Sequence, residues 1–190
     1  MTLPRCADEG GARWTFDQVL AAAREDVPWA YTSLFRALAR PVAGYLRAQG
    51  AREPDDLTNE VFLRAFRSLA TFTGGEGDFR AWLFTIARNC LRNDWRRESR
   101  RPTLVLAAPG DGPGGDTEED ALLALGTDRV HAVLATLAPD QREVLLLRVL
   151  ADMTVEQVAA AVGKSGPAVK ALQRRGLAAI RRKLGTAVPL

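Results

Sequence analysis

Between residues 79 and 101 the chain reads FRAWLFTIARNCLRNDWRRESRR, seven arginines against Asp94 and Glu98. At about 100° per residue, Thr85, Arg88, Asn89, Arg92, Asn93 and Arg96 gather on one side. A guanidinium group carries only donors, and a carboxamide carries donors and an acceptor. Such a helix can bury one face in a domain and offer the Arg/Asn stripe to something anionic. A second basic block, residues 164–183, has seven Lys/Arg and no acid, whereas residues 102–128 have six acids and no Lys or Arg. The formal net charge of +3 says less than this distribution. Two basic blocks on either side of an acidic segment imply two anion-binding modules on a tether.

Other chemistry finds little support. An enzyme acting on nucleic acid, such as a recombinase, needs a nucleophile with a base or clustered carboxylates for a metal. The single histidine is His131, and one His is ordinarily structural or solvated. Asp55 and Asp56 are adjacent, so on a helix they diverge. Cys6 and Cys90 form no metal pattern and no disulfide framework. Cys90 falls on the apolar side of its stretch and is expected to be a buried thiol. No catalytic residue, metal site or cofactor is therefore expected. No apolar run approaches a membrane span, and the N-terminus lacks a signal-peptide core; direct membrane insertion is not expected and a cytoplasmic location is the default.

The basic stretches need elements to place them. Residues 79–101 contain no Gly or Pro and can run as one helix, with Phe79, Trp82, Leu83, Ile86 and Cys90 facing inward. Phe84 and Trp95 lie to one side of the stripe; Trp95 is the better candidate for an exposed aromatic, but packing is expected for both. Upstream, residues 1–13 read as a loose tail. Residues 14–27 suggest a short helix, with Phe16, Val19, Leu20 and Ala23 at helical spacing. Pro28 can open the next helix, which holds Leu34, Phe35, Leu38, Val42, Tyr45 and Leu46; Pro41 inside it implies a kink or break.

A third helix starts at Glu53-Pro54-Asp55-Asp56, acids that suit a helix N-terminus. Leu57, Val61, Phe62, Ala65, Phe66 and Leu69 form its inner face. Asp56, Glu60, Leu63 and Arg67 share the outer face, where Leu63 is either a stray exposed leucine or part of a docking surface. Residues 71–77, TFTGGEG, make a glycine-rich connector leading straight into the Arg/Asn helix.

Residues 102–116 are Pro/Gly-rich and read as linker. Helical spacing then returns, with Leu122, Leu123 and Leu125, then Val130, Val133, Leu134 and Leu137, then Val144, Leu145, Leu146 and Val149. Thr154 with Gln157 fits a capping box, before a short helix with Val155, Val158, Ala159 and Val162. Gly163-Lys164 turns the chain, and Ser165 can cap a last helix burying Val169, Leu172, Ile180 and Leu184, with Leu177 nearby. Lys170, Ala171, Arg174, Arg175 and Arg181 stay outside. Short helix, glycine turn and basic helix make a helix-turn-helix pattern, although many bundles hold such a pair by chance.

Three segments together carry a resemblance. Residues 55–66, DDLTNEVFLRAF, resemble the core-polymerase-binding segment of bacterial sigma factors of the extracytoplasmic-function (ECF) class. Phe79-Arg80-Ala81-Trp82-Leu83, Ile86 to Asn89 and Asp94 to Arg97 resemble the promoter-melting helix of that class. Residues 137–147, LAPDQREVLLL, with 154–184, resemble its C-terminal promoter-binding domain. The similarity covers roughly residues 28–101 and 127–185.

The resemblance implies an all-α chain: residues 14–101 as the N-terminal sigma domain, 102–126 as a flexible acidic linker, and 127–190 as the C-terminal domain with the helix-turn-helix. It implies that the chain joins core RNA polymerase, through the clamp helices of the largest subunit and the flap of the second-largest, and directs it to promoter DNA. Asp56, Asn59, Glu60, Leu63, Arg64 and Arg67 become the expected polymerase contacts. Phe72, Thr73, Arg88, Asn89, Arg92, Asn93 and Arg96 become the expected −10 contacts, the loop capturing a base flipped from the opened non-template strand. Ser165, Lys170, Ala171, Arg174, Arg175 and Arg181 become the expected −35 contacts. The class is often held by an anti-sigma factor, a further partner.

Asn59 stands where the class usually has Gln. Gly166-Pro167 offers no base-reading side chain at the start of the last helix. The alternative is a helix-turn-helix regulator that never binds core polymerase; such a protein has no need of the 55–66 helix.

Overall fold

The computed structural model describes residues 6–7, 13–99 and 130–185. Residues 13–99 and 130–185 are helical apart from one two-residue antiparallel ladder, Cys6–Ala7 with Arg13–Trp14. Part of the expected loose tail is therefore paired backbone.

Helix α1 spans Phe16–Arg24. It is shorter than the 14–27 expected because Thr15 caps it: Gln18 N–H donates to Thr15 Oγ1, and the Gln18 side chain accepts from the Thr15 N–H at 2.9 Å. This reciprocal box satisfies two otherwise orphaned donors. Helix α2, Pro28–Ala48, continues through Pro41, so the break expected there does not occur. Leu38 and Val42 on either side of Pro41 are fully buried, and their packing offsets the hydrogen bond that proline removes. Helix α3, Pro54–Arg67, buries Leu57, Val61, Phe62 and Ala65. Phe66 is half-buried, stacked edge-on against Tyr31, and Leu69 is buried in a 3-10 turn, Leu69–Thr71.

Helix α4 spans Glu76–Glu98 and packs on α3, α2 and α1. It begins three residues earlier than the spacing suggested, inside the glycine-rich segment. Its buried face is Phe79, Arg80, Leu83, Phe84, Ala87, Cys90 and Leu91. Trp82 and Ile86, expected to face inward, are only half-buried; Phe84 is fully buried, as expected, whereas Trp95 is 42% exposed rather than packed. Arg100 and Arg101 lie outside the described residues, as does the expected 102–126 linker.

The second part begins with a helical stretch at 130–135, followed by α5, Pro139–Val149, α6, Val155–Val162, and α7, Gly166–Gly185. Thr154 and Gln157 form the expected capping box. Gly163 takes φ 69°, left-handed, which any other residue adopts only at a cost. Helices α5 and α7 pack together, with α6 against both. Gly176 makes this approach possible: a Cβ there would stand 2.7 Å from Leu145 Cδ1. Val169 and Leu172 are buried, but Leu177 and Leu184 are 41% and 55% exposed and Val149 is 72% exposed. The helix outlasts the surface it packs on, so the periodicity overstated its buried face.

Candidate nucleic-acid interface

Helix α3 presents Asp56, Asn59, Leu63 and Arg67 outward, with Glu60 and Arg64 half-buried. At 100° per residue these six lie within an arc of about 140°. Leu63 is 56% exposed among them. Arg64 is not free: Nη2 pairs with Glu60 Oε1 at 2.5 Å and Nη1 reaches Cys90 Sγ at 3.1 Å. It thus ties α3 to α4, a role the sequence did not suggest. Burial pushes the Cys90 thiol up, against a smaller downward pull from Arg64.

The glycine-rich loop is built rather than slack. Phe72 is half-buried, 4.9 Å from the Trp82 ring and 5.6 Å from Phe79. The Arg24 guanidinium lies 5.4 Å from the Phe72 centroid, and its Nη2 donates to Gly74 O at 2.8 Å. Gly74 takes φ 132°, and a Cβ there would meet Asp78 Cβ at 2.7 Å. At the loop's other end, Glu76 N–H donates to Asp17 Oδ1 at 3.1 Å. Thr73 is exposed at the tip, while Phe72 forms the floor.

Downstream on α4, Asn89, Arg92 and Arg96 are exposed and Asn93 is half-buried. Arg88 points to the second helical part, where its Nε donates to Glu143 Oε1 at 2.6 Å, both side chains under 20% exposed. Arg80, 7% exposed, donates to Leu150 O at 2.9 Å and Ala151 O at 3.2 Å. These are carbonyls at and just past the end of α5, groups a helix leaves without internal partners. The two arginines dock α5 on α4. Alongside runs a cleft of about 400 Å³ bordered by Tyr45, Arg88, Arg92, Trp95, Arg96 and Glu143, among others. The Tyr45 hydroxyl is buried there, and burial followed by the Glu143 charge raises its pKa well above the usual phenol range, against smaller downward pulls from Gln49 and Arg88.

In α7, Lys170, Arg174, Arg175 and Arg181 are exposed and Ala171 is half-buried. Lys170, Arg174 and Arg181 fall within an arc of about 40°, opposite Val169, Leu172 and Gly176. Ser165 stands ahead of the helix and accepts from Ala168 N–H at 3.4 Å, a capping role. Lys164 pairs with Asp140 Oδ2 at 2.9 Å and pins the turn to the start of α5. The arrangement is a helix-turn-helix with an uncovered cationic ridge, able to follow a phosphate backbone.

Among the described residues no cluster of three or more His, Cys, Asp or Glu could hold a metal, and no helix is long and apolar enough to cross a membrane. Sequence reasoning missed Asp17, Arg24, Arg80 and the Arg88–Glu143 pair. Arg80 left a signal: it heads the row Phe84, Ala87 and Leu91, at spacings of four, seven and eleven, which is a buried row.

Two family models match in order, Sigma-70 region 2 over residues 34–101 and Sigma-70, region 4 over residues 127–180. The chain is 34% identical over 142 residues to the ECF RNA polymerase sigma factor BldN of Streptomyces coelicolor, covering 74% of this chain but only 54% of that one. It is 32% identical to the ECF RNA polymerase sigma factor EcfG of Rhodopseudomonas palustris, covering 80% of this chain and 79% of that one. For the ECF RNA polymerase sigma factor SigX of Bacillus subtilis the identity is 30%, with 70% and 71% covered.

Among solved structures, CnrH in complex with the cytosolic domain of CnrY superposes with TM-score 0.64 at 25% identity, over 91% of this chain and 99% of that one. The sigma factor RpoE of Bartonella quintana, in complex with the anti-sigma factor NepR, shares the fold at TM-score 0.60 and 19% identity, over 82% and 96%. The matched regions fall on the two helical parts, the first carrying the α3 face and the α4 stripe and the second the helix-turn-helix; the chain belongs to the ECF class of the sigma-70 family.

Proposed function

We propose that this protein joins core RNA polymerase and directs transcription initiation from specific promoters, with residues 14–101 and 127–190 as its two working domains and 102–126 as the tether. The observation carrying this is the ordered pair of matches, region 2 over 34–101 and region 4 over 127–180, on parts that expose an apolar-centred acidic–basic helix face and a cationic helix-turn-helix. A regulator acting without polymerase would account for the second part and leave the first unused.

Phosphate contacts set register and base contacts set specificity. Lys170, Arg174 and Arg181 hold the −35 duplex, and Arg174 suits a guanine edge. At −10 a base leaves the stack, at a cost of a few kcal/mol. Thr73, Asn89 and Asn93 receive it, with Phe72 as the floor of the loop, while Arg92 and Arg96 hold the strand's phosphates. Arg88 joins them once its pair with Glu143 opens. Asp56, Asn59, Glu60, Leu63 and Arg67 dock on the clamp helices of the largest polymerase subunit, Arg64 holding Glu60 in place, and the C-terminal domain meets the flap of the second-largest.

An anti-sigma factor is a further partner of this reading, supported by the complex with NepR described for the Bartonella relative of the same fold. The test is a pull-down of core polymerase with wild type, Asp56→Lys and Glu60→Lys. Retained wild-type affinity in both variants would remove the docking face.

A further inference from the structure

Two side chains of α1, Asp17 and Arg24, hold both ends of the loop that enters α4, from 59 and 50 residues away in sequence. Helix α4 has no cap of its own. Its N-cap residue is Gly75, with no side chain to offer, and Asp17 Oδ1 takes the Glu76 N–H instead. Asp17 also lies in the first turn of α1, so one carboxylate faces the positive ends of two helices, where a negative charge is favoured. Arg24 acts seven residues on. It holds Gly74 O with Nη2 and covers the Phe72 ring, while its Nε is buried without a partner. Gly74, whose carbonyl Arg24 holds two residues before the Asp17 tie, is at φ 132°, a conformation that only glycine adopts at low cost. A loop so constrained needs external ties, and both come from α1.

We propose that α1 is a positioning element for −10 recognition: Asp17 and Arg24 set the path of residues 72–76, and so the place of Thr73 and the first turn of α4 against the opened strand. Neither residue touches DNA. The proposal rests on the assignment of this loop to the −10 strand. Loss of a capping acceptor shifts a local equilibrium by about fivefold, and a loop freed at one end is expected to lose base discrimination by about that factor.

The experiment reconstitutes holoenzyme from the full chain and its host's core polymerase, and transcribes a promoter library randomised at the −10 element. Product sequencing gives the base preference at each position. Asp17→Ala, Asp17→Asn, Arg24→Ala, Arg24→Lys and Thr73→Ala are compared with wild type, alongside core affinity and thermal melting. The expected result is that Asp17→Ala and Arg24→Ala flatten the −10 preference about fivefold at unchanged core affinity. Asp17→Asn, which keeps an acceptor oxygen, and Arg24→Lys, which keeps a donor, retain most of it. Wild-type preference in Asp17→Ala and Arg24→Ala, with Thr73→Ala flattened, overturns the positioning role alone. Unchanged preference in Thr73→Ala as well overturns the −10 assignment and the proposal with it. Should an alanine variant fail to fold, the Asn and Lys variants decide: a loss of preference equal to that of Thr73→Ala contradicts the proposed contacts.

Discussion

The Arg88–Glu143 pair gives the sharpest structural prediction, because it joins a stripe residue to the other helical part. Both side chains are under 20% exposed and the Nε–Oε1 distance is 2.6 Å. Glu143→Ala strands Arg88 in a nearly dry contact. For fully buried pairs such a loss costs about 3–5 kcal/mol, and residual exposure reduces this to about 2 kcal/mol. When the two parts separate, Arg88 is hydrated and the substitution costs nothing, so the whole penalty falls on the docked state. At about 1.4 kcal/mol per factor of ten, the ratio of docked to separated molecules falls about 25-fold.

Small-angle scattering of wild type, Glu143→Ala, Arg88→Ala and the double variant reads this as a larger radius of gyration. The double variant should expand no further than Glu143→Ala, because the pair acts as one unit. Scattering curves that superimpose for all four proteins, with each still folded, would refute the docking role of the pair. Glu143→Ala should also bind a labelled single-stranded oligonucleotide more tightly, since a binding-competent state that is more populated raises apparent affinity in proportion.

Other consequences follow from local geometry. Gly176→Ala places a Cβ 2.7 Å from Leu145 Cδ1 and should destabilise the C-terminal domain by about 1–3 kcal/mol in urea, whereas Gly185→Ala, with open space around it, should not. Burial raises the Cys90 thiol, so its contribution to stability is complete below the ordinary thiol pKa of about 8.5 and is lost as pH rises through the folded value; urea midpoints from pH 7 to 10 should fall more steeply for wild type than for Cys90→Ala. Leu63→Glu, at a 56% exposed position, should leave the melting temperature within about 1–2 °C while weakening core binding at least tenfold, as expected of an apolar anchor in an interface. Lys170→Ala and Arg174→Ala should each lower the salt dependence of duplex binding by about one phosphate contact, and only Arg174→Ala should relax sequence preference.

The all-helical architecture was legible because amphipathic spacing, Pro28, Pro54 and Gly163 mark the elements by local chemistry. The Thr154–Gln157 pair marks a helix start by local chemistry. The same pattern at Thr15–Gln18 starts α1 at Phe16, later than the apolar spacing alone implies. Burial was harder where it depends on neighbours. Trp95 looks like a core residue by type, yet it falls where α4 has run past its partners. Ile180 is only half-buried, and Leu184 continues the row beyond the surface that covers it. Arg88 looks like a solvent-facing cation, and only the approach of α5 turns it inward; Arg80 lies in a buried row of its own helix, but its carbonyl partners come from the distant end of α5. Asp17 and Arg24 act on a loop more than forty residues away, and no local pattern encodes a contact of that range. The outward faces of α3 and α7 were legible because their exposure follows from helix geometry alone.

The most direct measurement is run-off transcription with purified core polymerase on a genomic promoter library, with permanganate probing of the opened strand on the promoters selected. Transcripts with shared −35 and −10 elements, made only when this protein is added, together with reduced permanganate reactivity at −10 for Asn89→Ala at equal closed-complex binding, are the predicted outcome. Duplex binding without any promoter-directed transcript or strand opening would contradict initiation and leave a DNA-binding regulator in its place.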